Sequence, residues 1–319
     1  MANDDHRTTR RDVILSVARA TAAAGTAGAL FHVLRERPQT RAETPHGFDW
    51  RRPDEKSAGV VARGPDPAAN VRRALAALGG MGRFIGRGET VLIKPNVGWD
   101  RVPEQAADTD PDVVAELVRL CLAAGAARVV VADFPCNDPR RSFTRSGIGP
   151  ASEAAGATVI RPPSLHTRPA NLPGVLAGLE VMELLPHTDR VINVPVVKHH
   201  SLARVTLGMK NWFGVIGGGR PRLHQGIHRA IAELGAAFRP TLTVVDATRI
   251  LMANGPQGGR LEDVRRVDAV AAGTDPVALD AWGASLLGVN PHRLGFVAEA
   301  EKLGLVIGDP SRLRELGTA

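Results

Sequence analysis

Short apolar runs of strand length alternate with segments of helical character from residue 58 onward. The strand-like runs are 90–97, 128–134, 158–162, 190–197, 242–248 and 267–273, and the helical segments are 111–126, 151–157, 202–213, 228–238, 276–288 and 293–304. Such alternation is typical of parallel sheets, because a parallel connection needs a crossover long enough to hold a helix. The sequence therefore predicts an α/β fold, a mostly parallel sheet flanked by helices, in a single main domain.

One segment, Val191–Gly214, places many polar side chains beside core-forming ones; it reads VINVPVVKHHSLARVTLGMKNWFG. The run VINVPVV predicts one strand that is buried on both faces, and Lys198 and His200 follow where it ends. Open α/β sheets bind ligands at this end of their strands. If the residues that follow form a helix, Thr206 and Lys210 share a face of it, and Lys210 points back toward Lys198. This segment is the predicted functional site.

Five separated stretches carry polar and small residues in recognisable motifs. They are IKPN at 93–96; Asn193, Pro195, Lys198, His200, Thr206, Lys210, Asn211 and Gly214; His224 in PRLHQG; Asp246 in VVDA, followed by NGPQGG; and AGTDPVALDAWG at 272–283. These stretches resemble motifs of the DUF362 family, in the order in which the family has them. Together they span about residues 90–290. The family is named for having no established function, and many members carry a ferredoxin-type iron–sulfur domain. Those members suggest one alternative for this chain, a noncatalytic redox accessory protein that works with a separate iron–sulfur protein.

The two cysteines limit the redox chemistry of this chain. Cys121 and Cys136 are too few for a four-cysteine cluster, so no iron–sulfur cluster is expected from this chain alone. Cys121 lies on an apolar helical segment, as a buried structural thiol does. Cys136 follows a strand and is the more interesting thiol. The sequence leaves open whether the two form a disulfide.

Net charge does not indicate nucleic-acid binding. The chain carries +7 at neutral pH, with a pI near 10.3. Residues 1–52 hold nine arginines against six acidic residues, so they account for +3 of that charge. Tyrosine is absent and aromatic residues total 4%, which leaves few side chains on which bases can stack. We expect no nucleic-acid partner.

The amino terminus resembles a twin-arginine export signal. Thr9–Leu15 reads TRRDVIL, and an Ala-, Gly- and Val-rich stretch follows it to Leu30. Arg19 within that stretch argues against a membrane-spanning helix. We therefore predict a signal segment over 1–30, a polar linker over 31–57 and a DUF362-like α/β domain over 58–319. The expected partner is the twin-arginine machinery and the expected location is periplasmic or extracytoplasmic; the alternative is an amphipathic helix that stays on the protein.

Three lysines stand at or just after predicted strand ends. Lys94 ends a strand before Pro95, which keeps it extended, while Lys198 and Lys210 belong to the polar segment. Their amines predict one pocket for an anionic small molecule, a phosphate or carboxylate. The predicted substrate-binding residues are Lys94, Asn96, Asn193, Lys198, Lys210 and Asn211.

Histidines and aspartates add candidates for acid/base chemistry or for a divalent metal. His200 is the predicted catalytic acid or base. His224 and Asp246 are the predicted metal ligands, as nitrogen and oxygen donors without a diagnostic spacing. Asp133 and Asp280 are further candidates; Asp280 faces solvent, a lysine or a metal.

Several common motifs are absent. The sequence has no Walker-type G-x-x-x-x-G-K-[ST], no dinucleotide-binding G-x-G-x-x-G after the first strand and no G-x-S-x-G elbow. The preferred interpretation is an exported protein that binds an anionic small molecule and uses His200 if it is an enzyme. A redox accessory protein and a metal-binding carrier are the alternatives.

Overall fold

A ten-stranded sheet forms the centre of the computed structural model, which describes residues 48–52, 59–305, 311 and 313–317. In chain order the strands are β1 (Phe48–Asp49), β2 (Gly59–Arg63), β3 (Thr90–Pro95), β4 (Arg128–Ala132), β5 (Thr158–Ile160), β6 (Thr167–Pro169), β7 (Glu180–Met182), β8 (Arg190–Val194), β9 (Val196–His200), β10 (Arg204–Thr206), β11 (Phe238–Arg239), β12 (Leu242–Leu251), β13 (Val264–Gly273) and β14 (Arg314–Glu315). The predicted signal segment, 1–30, lies outside the described residues.

Strand order confirms the mostly parallel sheet. The main path runs β14-β2-β13-β12-β8-β3-β4-β5. All neighbours on it pair in parallel except β2 with β13 and β13 with β12. Beyond the end of β8, β9 pairs in parallel with β12 and forms an antiparallel hairpin with β10. The β3, β4 and β8 strands therefore end side by side, as a site at the carboxyl edge requires.

Helices cover both faces of the sheet. The α-helices are α1 (Pro67–Ala77), α2 (Pro111–Ala123), α3 (Pro139–Arg145), α4 (Ile148–Ala154), α5 (Gly208–Asn211), α6 (Ile227–Ala237), α7 (Pro276–Leu286) and α8 (Gly295–Lys302). Residues of α1 to α4 share one apolar cluster with one face of β3 and β4, and residues of α5 to α8 share a second cluster with the opposite face. None of the described helices is long and apolar enough to cross a membrane.

Aspartate followed by proline starts four of these helices. Asp66, Asp110, Asp138 and Asp275 each accept a backbone N–H of the first turn, and the next residue is proline. The aspartate satisfies a donor that has no partner within the helix, and proline has a fixed φ that suits the first helical position. Asp275, in the stretch AGTDPVALDAWG, is therefore a helix cap.

Two local predictions in the polar segment are wrong. VINVPVV is not one strand, because the chain leaves the β3 side of the sheet at Pro195 and continues as β9 beside β12. The segment 202–213 is not one helix, because Arg204–Thr206 pairs with β9 before a short α5 begins at Gly208. Pairing of Arg204–Thr206 with β9 overrides the local helix propensity of the segment.

Five residues of the predicted linker belong to the fold. β1 pairs in parallel with β11, and the Trp50 side chain is buried and stacks on Trp212 with ring centroids 6.4 Å apart. Phe48 stacks on Phe238 at 5.3 Å. Aromatic burial of this kind holds 48–52 against the domain, so the packed structure begins before residue 58.

Candidate functional site

A cavity of about 280 Å³ opens where β3, β4 and β9 end. Eight residues that the sequence predicts as site candidates line it: Lys94, Asn96, Asp133, Lys198, His200, Lys210, Asn211 and His224. The three lysines converge on this one space. Asn193, Asp246 and Asp280 do not line it.

Lys94 is fully buried at the end of β3 and is already paired. Its Nζ lies 2.7 Å from Asp133 Oδ1 and donates to the Pro95 carbonyl (2.8 Å) and to Asn211 Oδ1 (3.2 Å). Burial lowers the pKa of Lys94, and the Asp133 carboxylate opposes that shift. With these partners, Lys94 holds the site together and its charge is offset within the protein.

Gly214 makes room for this ion pair. A Cβ at this position would overlap Oδ1 of Asp133 and would lie 2.7 Å from Nζ of Lys94. The Gly214 carbonyl also accepts the Phe134 N–H at 3.0 Å, which ties the segment after α5 to the end of β4. Only glycine permits this approach, which gives a physical reason for the glycine in the K-N-x-x-G motif.

Three asparagine amides connect the strands behind the cavity. Asn211 Nδ2 donates to Asn193 Oδ1 at 2.8 Å, and Asn96 Nδ2 donates to Asn211 Oδ1 at 2.8 Å. Asn193 Nδ2 donates to the Gly208 carbonyl at 2.9 Å. Asn193 thus lies behind Asn211 and positions α5, while Asn96 and Asn211 reach the cavity.

Lys198 has a carboxylate neighbour that the sequence analysis did not find. Its Nζ donates to Asn96 Oδ1 at 2.8 Å and to the Ala107 carbonyl. Burial lowers the pKa of Lys198 to about 8, and nearby Asp108 opposes the shift. Burial also raises the pKa of Asp108 to about 7, with Lys198 opposing. Asp108 lies in the loop between β3 and α2. Its position in a loop after a strand is the only signal in the sequence that could have pointed to it.

Lys210 has no counterion among the described residues. It is 8% exposed, and among the described residues no acceptor lies within hydrogen-bond distance of its Nζ and no carboxylate within 4.0 Å. Its Nζ lies over the Phe213 ring, 4.5 Å from the ring centroid. Burial, and next to it the charge of Lys198, lowers the pKa of Lys210 to about 7.

His200 is held as a neutral hydrogen-bond donor. Its Nδ1 accepts two backbone N–H groups, from Leu202 at 3.1 Å and from Ala203 at 3.2 Å. An imidazole nitrogen that accepts hydrogen bonds carries no proton, so the proton resides on Nε2. Burial and then Lys210 lower the pKa of His200 to about 3. This geometry favours donation from Nε2 over proton abstraction, since neither nitrogen keeps a free lone pair.

Thr206 and Arg220 complete the polar wall. Thr206 is buried, and its Oγ1 has no hydrogen-bond partner among the described residues. Arg220 donates to the backbone carbonyls of Phe134 (2.9 Å) and Pro135 (3.4 Å), and its Nη2 lies 3.8 Å from Cys136 Sγ. No described carboxylate pairs with Arg220. Arg220 could not be singled out from the sequence as a site residue, because arginines are frequent along the whole chain.

A family model for a domain of unknown function, DUF362, matches residues 91–285. The chain belongs to the DUF362 family. It is 30% identical over 250 residues to a protein named thylakoid-associated protein sll1697 from Synechocystis, a match that covers 74% of this chain and 75% of that protein.

Solved structures are similar only at a distance. The lactate racemase apoprotein from Thermoanaerobacterium thermosaccharolyticum is 13% identical with a TM-score of 0.40, and a protein from Thermotoga maritima is 12% identical with a TM-score of 0.35. The matches cover 76% and 75% of this chain, but only 61% and 60% of those chains. Nothing about this chain's activity follows from these likenesses.

The remaining candidates of this DUF362 chain have structural partners. The Asp246 oxygens accept the N–H groups of Asp110 (2.8 Å) and Thr248 (2.9 Å). Burial raises the pKa of Asp246 to about 7. His224 lies at the exposed rim, against the Phe213 ring, so the two predicted metal ligands do not face one space. Within the described part of the chain, no group of three or more His, Cys, Asp or Glu residues is placed to hold a metal ion.

Asp280 anchors α5 from the neighbouring helix. Its oxygens accept the N–H groups of Gly208 (2.6 Å) and Met209 (3.0 Å). Burial raises the pKa of Asp280 to about 7, opposed by these two amide bonds. Neither solvent nor a lysine is its partner; Asp280 holds the helix that carries Lys210.

A larger cavity, about 530 Å³, lies near β1 and the start of α7. None of the predicted site residues lines it. Its wall includes Arg52 and Leu305, which directly precede residues outside the described part of the chain. The smaller cavity, which the predicted residues line, is therefore the candidate functional site.

Cys121 and Cys136 are both free thiols. Cys121 is buried in α2, where burial raises its pKa. Cys136 is exposed and lines the cavity beside Arg220. The disulfide that the sequence left open is not formed.

Proposed function

We propose that this DUF362 protein binds a small anion, a carboxylate or a phosphate, in the cavity beneath Lys210. The observation that carries the proposal is the nearly buried Lys210 amine with no acceptor and no carboxylate partner among the described residues. Holding an ammonium group away from water without a counterion is unfavourable. An anionic ligand in the cavity would supply that counterion.

The charges around the cavity support an anion over a cation. Lys94 is offset by Asp133 at 2.7 Å, and Lys198 is opposed by Asp108. Lys210 and Arg220 keep charges that no described carboxylate neutralises. The field inside the cavity is therefore positive, and a concave site with low-dielectric walls concentrates such a field.

Neutral donors in the same wall suit the oxygens of an anion. The Thr206 hydroxyl is buried and has no partner in the part of the chain that the structure describes. The His200 tautomer leaves its Nε2 proton free of the backbone bonds at Nδ1. Fixed donors of this kind stabilise negative charge on an oxygen, in a bound anion or in one that develops during a reaction. We assign His200 this role in place of the acid or base that the sequence predicted.

Thermal melts with and without ligand test the proposal. Phosphate, sulfate and acetate, each at about ten times its dissociation constant, should stabilise the protein by about 1.4 kcal/mol through mass action. Lys210→Ala should reduce this stabilisation to less than half. A chloride series of equal ionic strength corrects for general salt effects.

Lys302→Ala is the matched control, because Lys302 is an exposed lysine on α8 that pairs with Glu299 at 2.6 Å. It should respond to anions as the parent protein does. Equal anion responses in the parent protein and Lys210→Ala would refute the assignment of the site. So would a loss of several kcal/mol in Lys210→Ala without ligand, because Lys210 would then be a structural residue.

A further inference from the structure

Lysine is rare in this chain and concentrated at the cavity. The sequence contains five lysines, at positions 56, 94, 198, 210 and 302, and thirty-five arginines. Three of the five lysines line the cavity. Arginine thus supplies most of the basic side chains of this chain. A lysine can also give up its proton and act as a nucleophile, which arginine in proteins does not do.

Lys210 is the lysine of the three that is free to react. Nζ of Lys94 and Nζ of Lys198 each donate to two or more protein acceptors. The Lys210 amine instead lies over an aromatic ring, nearly buried, with no such acceptor among the described residues. Desolvation beside another cation is the environment that activates an amine nucleophile.

We propose that Lys210 forms an imine with the carbonyl group of a small 2-oxo carboxylate whose carboxylate group is bound by Arg220. This inference deepens the proposed function and rests on it, since the substrate is the anion of that cavity. Arg220 has no carboxylate partner among the described residues. Its described hydrogen-bond acceptors are two backbone carbonyls and the Cys136 thiol. A guanidinium whose other N–H groups have no described acceptor can donate them to a carboxylate.

The chemistry balances without a cofactor. The neutral amine adds to the carbonyl carbon, and the adduct then loses the former carbonyl oxygen as water. A C=N bond replaces C=O, and the two amine protons leave with that oxygen. The Thr206 hydroxyl lines the same cavity, has no partner among the described residues and can donate to the oxygen as it departs. The lowered pKa of Lys210, about 7, supplies neutral amine near neutral pH.

Reductive trapping tests the inference. The full chain is incubated with pyruvate or glyoxylate and cyanoborohydride, which delivers hydride to the C=N bond and leaves a stable secondary amine, and the modified residue is found by peptide mass analysis. We expect modification of Lys210 at least about tenfold faster than that of exposed Lys302. Propionate, which has no carbonyl group, should give no adduct. Dihydroxyacetone, which has no carboxylate group, should react with Lys210 at least about tenfold more slowly than pyruvate.

Two variants separate the role of Lys210 as nucleophile from that of Arg220 in binding the carboxylate group. Lys210→Arg keeps the charge but removes the nucleophile, so it should retain anion stabilisation and lose the adduct. Arg220→Gln should raise the half-saturating pyruvate concentration about tenfold or more, with the adduct still at Lys210.

The results distinguish failure of the imine proposal from failure of the anion site. Modification of Lys210 no faster than that of Lys302, with anion stabilisation still dependent on Lys210, would overturn the imine and leave the anion site. If anions do not stabilise the parent protein and Lys210 is not trapped, both proposals fail. Trapping needs only the parent protein, so the inference can be refuted even if a variant does not fold.

Discussion

The ionisation of Lys210 should set the pH dependence of anion binding. Its pKa is lowered to about 7 in the free protein because of burial and the charge of Lys198, and a bound anion would raise it again. Below pH 7 the amine is already charged and affinity is at its maximum. Above pH 7 binding must take up a proton, so affinity should fall by up to about tenfold per pH unit until the pKa of the complex is reached.

Calorimetric titrations with sulfate between pH 6 and 9 measure this dependence, and sulfate itself does not titrate in that range. Lys210→Arg is the control, because a guanidinium stays charged throughout the range. Its affinity should change much less with pH. An equally steep fall in Lys210→Arg would assign the titration to another group, such as Lys198 with its pKa of about 8.

Gly214 gives a second test at the scale of one residue. Gly214→Ala forces a methyl group into the Lys94–Asp133 ion pair and should lower the free energy of unfolding by at least about 2 kcal/mol. Gly82→Ala is the control, because its Cβ meets nothing within 4 Å and its φ is not positive. Urea unfolding of both variants provides the comparison. Equal stability would show that the ion pair moves aside freely.

At the scale of residues, the sequence predicts which lysines share the cavity, but it does not predict which of them are paired within the protein. Lys94, Lys198 and Lys210 were predicted to share a pocket and they do, because each stands at or after the end of a strand of one sheet. The sequence could not show that Lys94 is paired and Lys210 is not, because the deciding partner, Asp133, is 39 positions from Lys94. The tautomer of His200 depends in the same way on a turn that was predicted as helix.

At the scale of elements, α5 depends on α7. This helix has a single turn and its first two amides are held by Asp280. Asp280→Ala should leave both amides without an acceptor and lower the free energy of unfolding by about 2 kcal/mol. It should also weaken anion stabilisation, because Lys210 lies on α5.

Asp66→Ala is the matched control, since Asp66 caps α1 and its side chain accepts the Ala69 N–H at 3.0 Å. Loss of this cap should cost about 1 kcal/mol and leave the response to anions unchanged. Denaturant unfolding with and without sulfate measures both quantities. A full anion response in Asp280→Ala would separate Lys210 from the anchoring of α5.

The polar segment also shows where element prediction fails. Long periodic helices such as α2 and α6 were predicted, because their apolar spacing is repeated over three turns. The segment 202–213 is no shorter than α6, but its structure is decided by the pairing of β10 with β9 and not by its local pattern. Pro195 in the middle of VINVPVV marked the strand break, which the continuous apolar run concealed.

At the scale of the molecule, the alternation of strands and helices was enough to predict an α/β fold with a mostly parallel sheet. The antiparallel placement of β13 between β2 and β12 was not predictable, because strand order depends on contacts between distant segments. The divalent metal and the separate iron–sulfur partner stay predictions. Metal analysis of the purified protein tests the first.

Export is the remaining question at this scale, and it concerns residues 1–30, which lie outside the described part. TRRDVIL at 9–15 precedes an Ala-rich stretch, so residues 1–30 fused to a reporter that functions only after export in the folded state should give activity. Arg10→Lys with Arg11→Lys should abolish it, because the pathway reads the guanidinium pair and not charge alone. Arg7→Lys with Arg19→Lys changes as many arginines outside the pair and should leave export unchanged. If the 10/11 double variant is exported like the parent fusion, the segment is not a twin-arginine signal, and the amphipathic helix that stays on the protein becomes the better interpretation.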